Sequence, residues 1–593
     1  MRLLKPPTST FQASLKQLHI NQNIRTPSSY TVNSSVSSYI ARRNYASNPP
    51  PRQNIAVIGS GITGLTAAYY LSKGTNPPNV TIYEASPRVG GWLNSKYVDV
   101  EGGKVLFEQG PRSLRPAVPR GLHTAALLED IGLADEILFV PKDSPSARDR
   151  WLYYPDHLVH VPHPTQGIIK IAQTIFTEKA FQGVFWAMCT EFFKNNRPDG
   201  LEDESVGDFI SRRVSKEAVD RVLSGVLHGI YAGDAYQLSA KSLFPEMWTG
   251  ERGYGSIFAG MTQYKEQQLV REEDFNLTYH LAERGIAANP NGPRELDGKL
   301  NKCSVFTLKR GLMSMTERME SLLNMAENVK FKTNSPVSNM RYDREAQKIE
   351  ITAEASSGTT QPETYDQVIS TIFSQKVPSI TNPDKQGGQC LLPSLLDTSA
   401  VTVSVVNLYY PDPYLLPIRG FGYLIPQATP LTQNPELALG VVFDSEITRE
   451  QDTAPGTKVT VMLGGHWWDG WETLPTDAEL IEKAKSVLNR HLGITGEPEA
   501  FLVSTQKDCI PQYKVGHTQR MKDAHLALLR NFGGRLKVAG NSYTGVGVND
   551  CLMAARAIAL ACQADNWSSR TGLEGFERGM KFVSMRDLPR PQS

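Results

Sequence analysis

The chain has 593 residues, with 62 basic side chains against 61 acidic ones and a formal net charge of +1. That balance excludes a protein that grips nucleic acid by charge, and the length suits two or three globular domains. Cys189, Cys303, Cys390, Cys509, Cys551 and Cys562 are scattered, with no C-x-x-C spacing and no neighbouring His ligands, so they read as free thiols rather than as disulfides or a metal site.

The first fifty residues hold Arg2, Lys5, Lys16, Arg25, Arg42 and Arg43, many Ser and Thr, and no Asp or Glu, which is the composition of a transit peptide. Phe11, Leu15 and Leu18 share one helical face with Lys16 turned away from it. Arg43-Asn44-Tyr45-Ala46-Ser47 resembles a mitochondrial processing site, which places the leader at 1–45. A basic tail without a targeting role is the alternative, and the absence of acids argues against it.

Ile55-Ala56-Val57-Ile58 is a β-branched apolar run that predicts a buried parallel strand, and Gly59-Ser60-Gly61-Ile62-Thr63-Gly64 follows it directly. Leu65, Ala68 and Leu71 give the next helix a face to bury. Val80 to Tyr83 predicts a second strand ending at Glu84, about twenty residues past the last glycine. This βαβ opening suits a dinucleotide: the helix N-terminus meets phosphate, and Glu84 meets a ribose hydroxyl. Arg88-Val89-Gly90-Gly91-Trp92 adds a second glycine pair with a basic residue beside it, suited to phosphate oxygens.

The run from Glu84 through Ala85 and Arg88 to Gly91 and Trp92 resembles the segment after the dinucleotide fold in flavin-dependent amine oxidases, phytoene desaturases and protoporphyrinogen oxidases, which hold FAD. Further stretches extend that resemblance from about Asn54 to Asp565. Gly110-Pro111-Arg112-Ser113 follows the strand Val105 to Phe107, and in the family such a segment touches the flavin. Arg148-Asp149-Arg150-Trp151-Leu152-Tyr153 is similar to a family segment whose arginine faces a substrate propionate. Arg419-Gly420-Phe421-Gly422-Tyr423-Leu424 is similar to a pocket wall in which Phe421 and Leu424 hold a flat macrocycle, Gly422 offers backbone, and Met462 closes an apolar side. The residue matching Val337 meets the adenine. Asn541 and Val546-Gly547-Val548 open a last strand, loop and helix whose positive end faces the flavin pyrimidine.

From Ser146 to Gly260 the composition turns helical and aromatic. Ile168, Ile169, Phe176, Trp186 and Phe193 fit either an interior helix or an in-plane membrane surface, and no run is long and pure enough to span a bilayer. The resemblance favours the membrane reading. Residues Glu251 to Asn301 are polar with weak periodicity and predict an inserted loop. Val401 to Leu408 and Val459 to Leu463 predict strands of a mixed or antiparallel substrate sheet.

The expected class is α/β (α+β overall): a Rossmann-type FAD-binding domain, a mixed-sheet substrate domain and an inserted helical membrane-associating domain. The expected divisions are 52–140, 304–372 and 501–565 for FAD, 141–265 for the helices, 266–303 for the loop, 373–500 for substrate and 566–593 for a tail. The resemblance implies one non-covalent FAD per chain and oxidation of protoporphyrinogen IX in three two-electron steps. Hydride goes to flavin N5 and dioxygen becomes hydrogen peroxide. It implies a peripheral site on the mitochondrial inner membrane, and it leaves ferrochelatase as a partner and a homodimer open. No metal and no acid-base pair is called for. The rivals are another FAD-dependent amine or carotenoid oxidoreductase, and a non-enzymatic binding protein like the Rab GDP-dissociation inhibitors.

Overall fold

Ile55, Ala56, Val57 and Ile58 are all removed from water in the strand Asn54–Ile58 (β1), as the middle of a sheet covered on both faces requires. In this computed structural model, which describes residues 52–74, 76–117, 119–288, 295–355, 358–381 and 390–587, helix Ile62–Leu71 (α1) returns the chain to Asn79–Tyr83 (β2), parallel to β1. The leader read at 1–45 lies outside the described residues. The sheet runs in the order Val329–Lys332, β2, β1, Gln367–Ser370, Leu536–Val538, with every pair parallel. Its strands are far apart in the chain, so other units are inserted between them. Leu65, Leu127, Met315 and Leu552 cover one face, and Tyr83, Ile351, Met521 and Leu528 the other.

A second sheet of seven strands runs Ala500–Gln512, Ser399–Tyr410, Thr457–Gly464, Ala438–Val442, Gly422–Leu424, Trp151–Tyr153, Leu158–His160. It is antiparallel except where Gly422–Leu424 meets Trp151–Tyr153, so of the mixed or antiparallel sheet expected it is the mixed one. Two expected divisions shift. Residues 151–160 belong to this sheet rather than to the helices, and the sheet extends to Gln512 rather than stopping at 500, because the long strand Ser399–Tyr410 pairs along Ala500–Gln512.

Helices from Ile168–Thr177 to Ile257–Glu266 lie beside this sheet, with a core of Val206, Phe209, Leu227 and Trp248. Among the described residues, no helix is long and apolar enough to cross a membrane.

The inserted loop expected over 266–303 is largely helical instead: Glu272–Ala288 and Glu295–Lys302 are helices, and Leu269–Arg271 is a strand. Glu272, Glu273 and Asp274 favour the positive end of the first of these helices, and Leu277 is buried. The tail expected over 566–593 is also corrected within its described part. Phe582–Ser584 pairs with Leu269–Arg271, Leu573 is fully buried, and the Lys537 ammonium donates to the carbonyls of Gly534, Trp567 and Arg570.

Candidate active site

Three glycine segments meet at the C-terminal end of β1. Ser60 O accepts from Gly90 N at 3.0 Å, and Gly61 and Gly90 form a parallel bridge. A Cβ on Gly64 would stand 2.0 Å from Gly59 O, so only glycine lets α1 pack on the turn. A Cβ on Gly110 would stand 2.4 Å from the Trp92 carbonyl oxygen, which joins the Gly110–Ser113 segment to the second glycine pair. At the start of α1 no side chain caps Gly61 and no acid stands in the first turn. A Cβ built on Gly61 meets nothing nearer than the Gly91 Cα at 3.9 Å. The N–H groups of Ile62, Thr63 and Gly64, uncapped and with no side chain crowding Gly61, are a fit for a pyrophosphate.

Several predicted cofactor residues turn to the protein itself. Glu84 accepts from Ser60 N at 2.9 Å, Ser60 Oγ at 2.6 Å, and Ser86 N and Oγ at 2.9 Å each. Burial opposes its ionisation, but these hydrogen bonds outweigh burial and hold the carboxyl below its usual value. Glu84 therefore pins the phosphate loop to the end of β2, and a ribose hydroxyl would have to replace one of the serine donors. The Arg88 guanidinium donates to Val89 O and Leu93 O at 3.1 Å and to Gly91 O, so it staples its own loop instead of pointing at phosphate. Arg112 is buried against Asp444 at 2.8 Å. Ala85 is exposed, and Pro111 and Ser113 are half-buried. Val337 opens the strand Val337–Asp343 just after Ser335, whose N–H donates to Glu84 O at 2.8 Å, and this places it beside the end of β2.

The closing helix Val548–Gln563 starts after Gly547, whose N–H donates to Asp550 Oδ2 at 3.2 Å. Arg120 binds Asp550 and also Asp274 at 2.9 Å, so the inserted helix is tied to this terminus. Asn541 Nδ2 donates to Cys509 O at 3.1 Å, and Tyr513 Oη donates to Asn541 O at 2.6 Å. Val546 is half-buried in the loop between. A cavity of about 340 Å³ opens here, lined by Tyr231, Arg271, Asp274, Tyr513, Gly545 and Asp550 among others. No single sequence motif marked it, because its walls come from five separate stretches of chain.

Of the predicted substrate residues, Phe421 and Met462 pack in one cluster with Val140, Val305 and Val442. Leu424 lies in another, against Leu152 and Phe181, and a Cβ on Gly229 would stand 2.9 Å from its Cδ2. Gly422 has φ +133°, and a Cβ there would stand 2.1 Å from Val441 O, so this glycine serves strand pairing rather than offering a free backbone. Arg150 lies over the Phe421 ring, 4.7 Å from its centroid. The neighbouring acid Asp149 is taken by His160 at 3.0 Å, and among the described residues no carboxylate pairs with Arg150. Burial, and then the charge of Arg115, hold its guanidinium below the ordinary arginine value. Asp444 and Arg115 were missed in sequence. Asp444 sits in no motif, and Arg115 lies just past the Gly-Pro-Arg segment that did signal.

A parallel sheet with an uncapped glycine loop under a helix N-terminus, joined to a mixed sheet, defines a flavin-binding oxidoreductase, and the FAD fits that loop. The family model for flavin containing amine oxidoreductase matches residues 62–562, and the chain belongs to that family. The reduced form of UDP-galactopyranose mutase shares the fold at a TM-score of 0.58 and 13% identity, covering 89% of this chain and 97% of that one. Within the family the chain is a protoporphyrinogen oxidase relative. It is 35% identical to protoporphyrinogen oxidase of Schizosaccharomyces pombe over 84% of this chain and 96% of that protein, and 32% identical to that of Homo sapiens over 86% and 98%.

Proposed function

We propose that the chain oxidises protoporphyrinogen IX to protoporphyrin IX with dioxygen as the final acceptor. One observation carries the substrate assignment: Arg150, half-buried on the face of Phe421 and free of any described carboxylate, presents an unneutralised cation beside an apolar cluster. A planar fork that stays charged suits a propionate, and the ring beneath it suits the edge of a tetrapyrrole. FAD held at the glycine loop would supply a two-electron acceptor that dioxygen can reoxidise. The chain's own contribution is position. Residues Ile62 to Gly64 hold the pyrophosphate, Glu84 and Ser60 fix the loop, and Phe421 and Met462 keep water from the macrocycle.

The location belongs to the same proposal. Ile168, Ile169, Phe176, Trp186 and Phe193 are exposed by 58–88% on neighbouring helical segments. Apolar side chains gathered in this way favour a peripheral seat in a bilayer interface over open water. With the leader at 1–45, the membrane proposed is the mitochondrial inner membrane.

Oxygen uptake tests the reaction, because six hydrogens leave each porphyrinogen. Three dioxygens consumed, and three peroxides formed, for each protoporphyrin are expected with catalase absent. One and a half dioxygens per porphyrin, with no peroxide formed, would overturn the peroxide-forming reading, and a purified chain without a flavin absorbance band would favour the non-enzymatic binding protein.

A further inference from the structure

The loop after Gly110-Pro111 carries a second cation that no part of the site so far uses. Leu114 N donates to Phe306 O at 2.8 Å and accepts the return bond at 2.9 Å, so the loop is fastened to the strand Cys303–Leu308. Val305 of that strand packs in the same cluster as Phe421, the ring under Arg150. Arg112, from the other side, binds Asp444, and Phe443 N just before it donates to Phe421 O at 3.0 Å. Asn549 Nδ2, in the first turn of the closing helix, donates to Arg115 O at 2.8 Å. Arg115 is thereby held between the proposed flavin helix and the Phe421 wall, with its side chain exposed.

Among the described residues no acid pairs with Arg115, while Arg112 and Arg120 on either side of it are both neutralised by aspartates. Its charge is near enough to oppose that of Arg150. Two like charges held near one another, Arg150 half-buried and Arg115 exposed, with no counter-charge among the described residues, are unfavourable until a ligand brings negative charge to both.

We propose that Arg115 and Arg150 form a two-cation clamp for a ligand carrying two carboxylates, with Arg150 taking one and Arg115 the other. This rests on the tetrapyrrole reading above and deepens it: a substrate with two propionates would be oriented about both arginines, whereas a monocarboxylate or an uncharged ring would lose the second anchor. Arg115 is here a specificity-determining residue with no part in hydride transfer.

The test is a binding titration on the FAD-loaded full chain that needs no turnover. Protoporphyrin IX and its dimethyl ester are the probes, followed by quenching of tryptophan fluorescence. The wild type is expected to bind the dicarboxylate at least tenfold more tightly than the diester, in line with charge-assisted hydrogen bonds. Arg115→Gln is expected to weaken the dicarboxylate by about tenfold and the diester by less than twofold, with Arg115→Lys recovering part of the loss. Equal weakening of both probes, or no weakening of either, overturns the clamp. Turnover of protoporphyrinogen IX by the wild type is measured in parallel. Its absence alongside a normal Arg115 effect would sink the oxidase reading and leave the clamp standing, and turnover with an unaffected Arg115→Gln would do the reverse.

Discussion

Arg150 is half-buried and Glu108 buried, each among different neighbours, and each makes a separate prediction. The Arg150 guanidinium lies on the Phe421 ring and, among the described residues, pairs with no carboxylate, so removing it breaks no ion pair of the flavin loop. Arg150→Ala is expected to raise KM for protoporphyrinogen IX by about tenfold or more while flavin absorbance per chain stays constant. An unchanged KM would remove Arg150 from the substrate site. Glu108 stands at the other extreme, with its oxygens accepting from Ser95 Oγ and Leu312 N at 2.7 Å each. Burial pushes its carboxyl up to about 7, against those bonds and the nearby charges of Arg112 and Lys458. The folded state thus keeps a proton that the unfolded chain releases above its ordinary value of 4.5. Stability should fall as pH rises from about 4.5 through 7, by on the order of 3 kcal/mol in total. Urea midpoints for the wild type and Glu108→Gln across that window check this. Parallel pH slopes in the two proteins would contradict it.

The helical elements that carry the exposed apolar side chains are braced from behind by ions. Glu191 begins the short turn bearing Phe192 and Phe193, and it is fully buried against Arg213, whose Nε donates to it at 2.7 Å. Arg213 also donates to the carbonyls of Lys194, Asn195 and Gly255, so the turn is held rigid while its aromatics face outward. Ile169→Asp and Phe193→Asp are each expected to lower co-sedimentation with anionic vesicles by about tenfold, the worth of one large apolar side chain. Neither should alter thermal unfolding by more than about one degree, since both side chains are nearly free of protein contact. Vesicle binding equal to wild type would mean the patch serves something other than lipid. The apolar composition of this region was plain in the sequence, but whether its rings faced inward was not. Periodicity gives a face and does not say what covers it. The helix Glu272–Ala288 went unread for a related reason: its anchor is Arg120 on Asp274, a contact across 154 residues that no local pattern announces. Its acidic first turn was a helix signal, and it was outweighed by the surrounding polarity.

Across the whole molecule, the parts written in one stretch of chain were the ones that could be read. The strand, glycine loop, helix and second strand of residues 54–84 are such a stretch, and the parallel pairing of β1 with β2 follows from it. What escaped was set by chain segments far apart. Examples are the Trp151–Tyr153 strand that completes the second sheet beside Gly422–Leu424, the Asp444 partner that claims Arg112, and the serines that occupy Glu84. The site residues were legible as types with a chemistry, and less so as to which of them the protein would keep for itself. The most direct measurement is the growth of porphyrin fluorescence after protoporphyrinogen IX is added, in air, to the purified FAD-loaded chain lacking its first forty-five residues. A saturable rise well above autoxidation, abolished when the flavin is stripped and restored when FAD is returned, is the expected result. A rise no faster than that of buffer alone, from protein that carries its full flavin, would contradict the account.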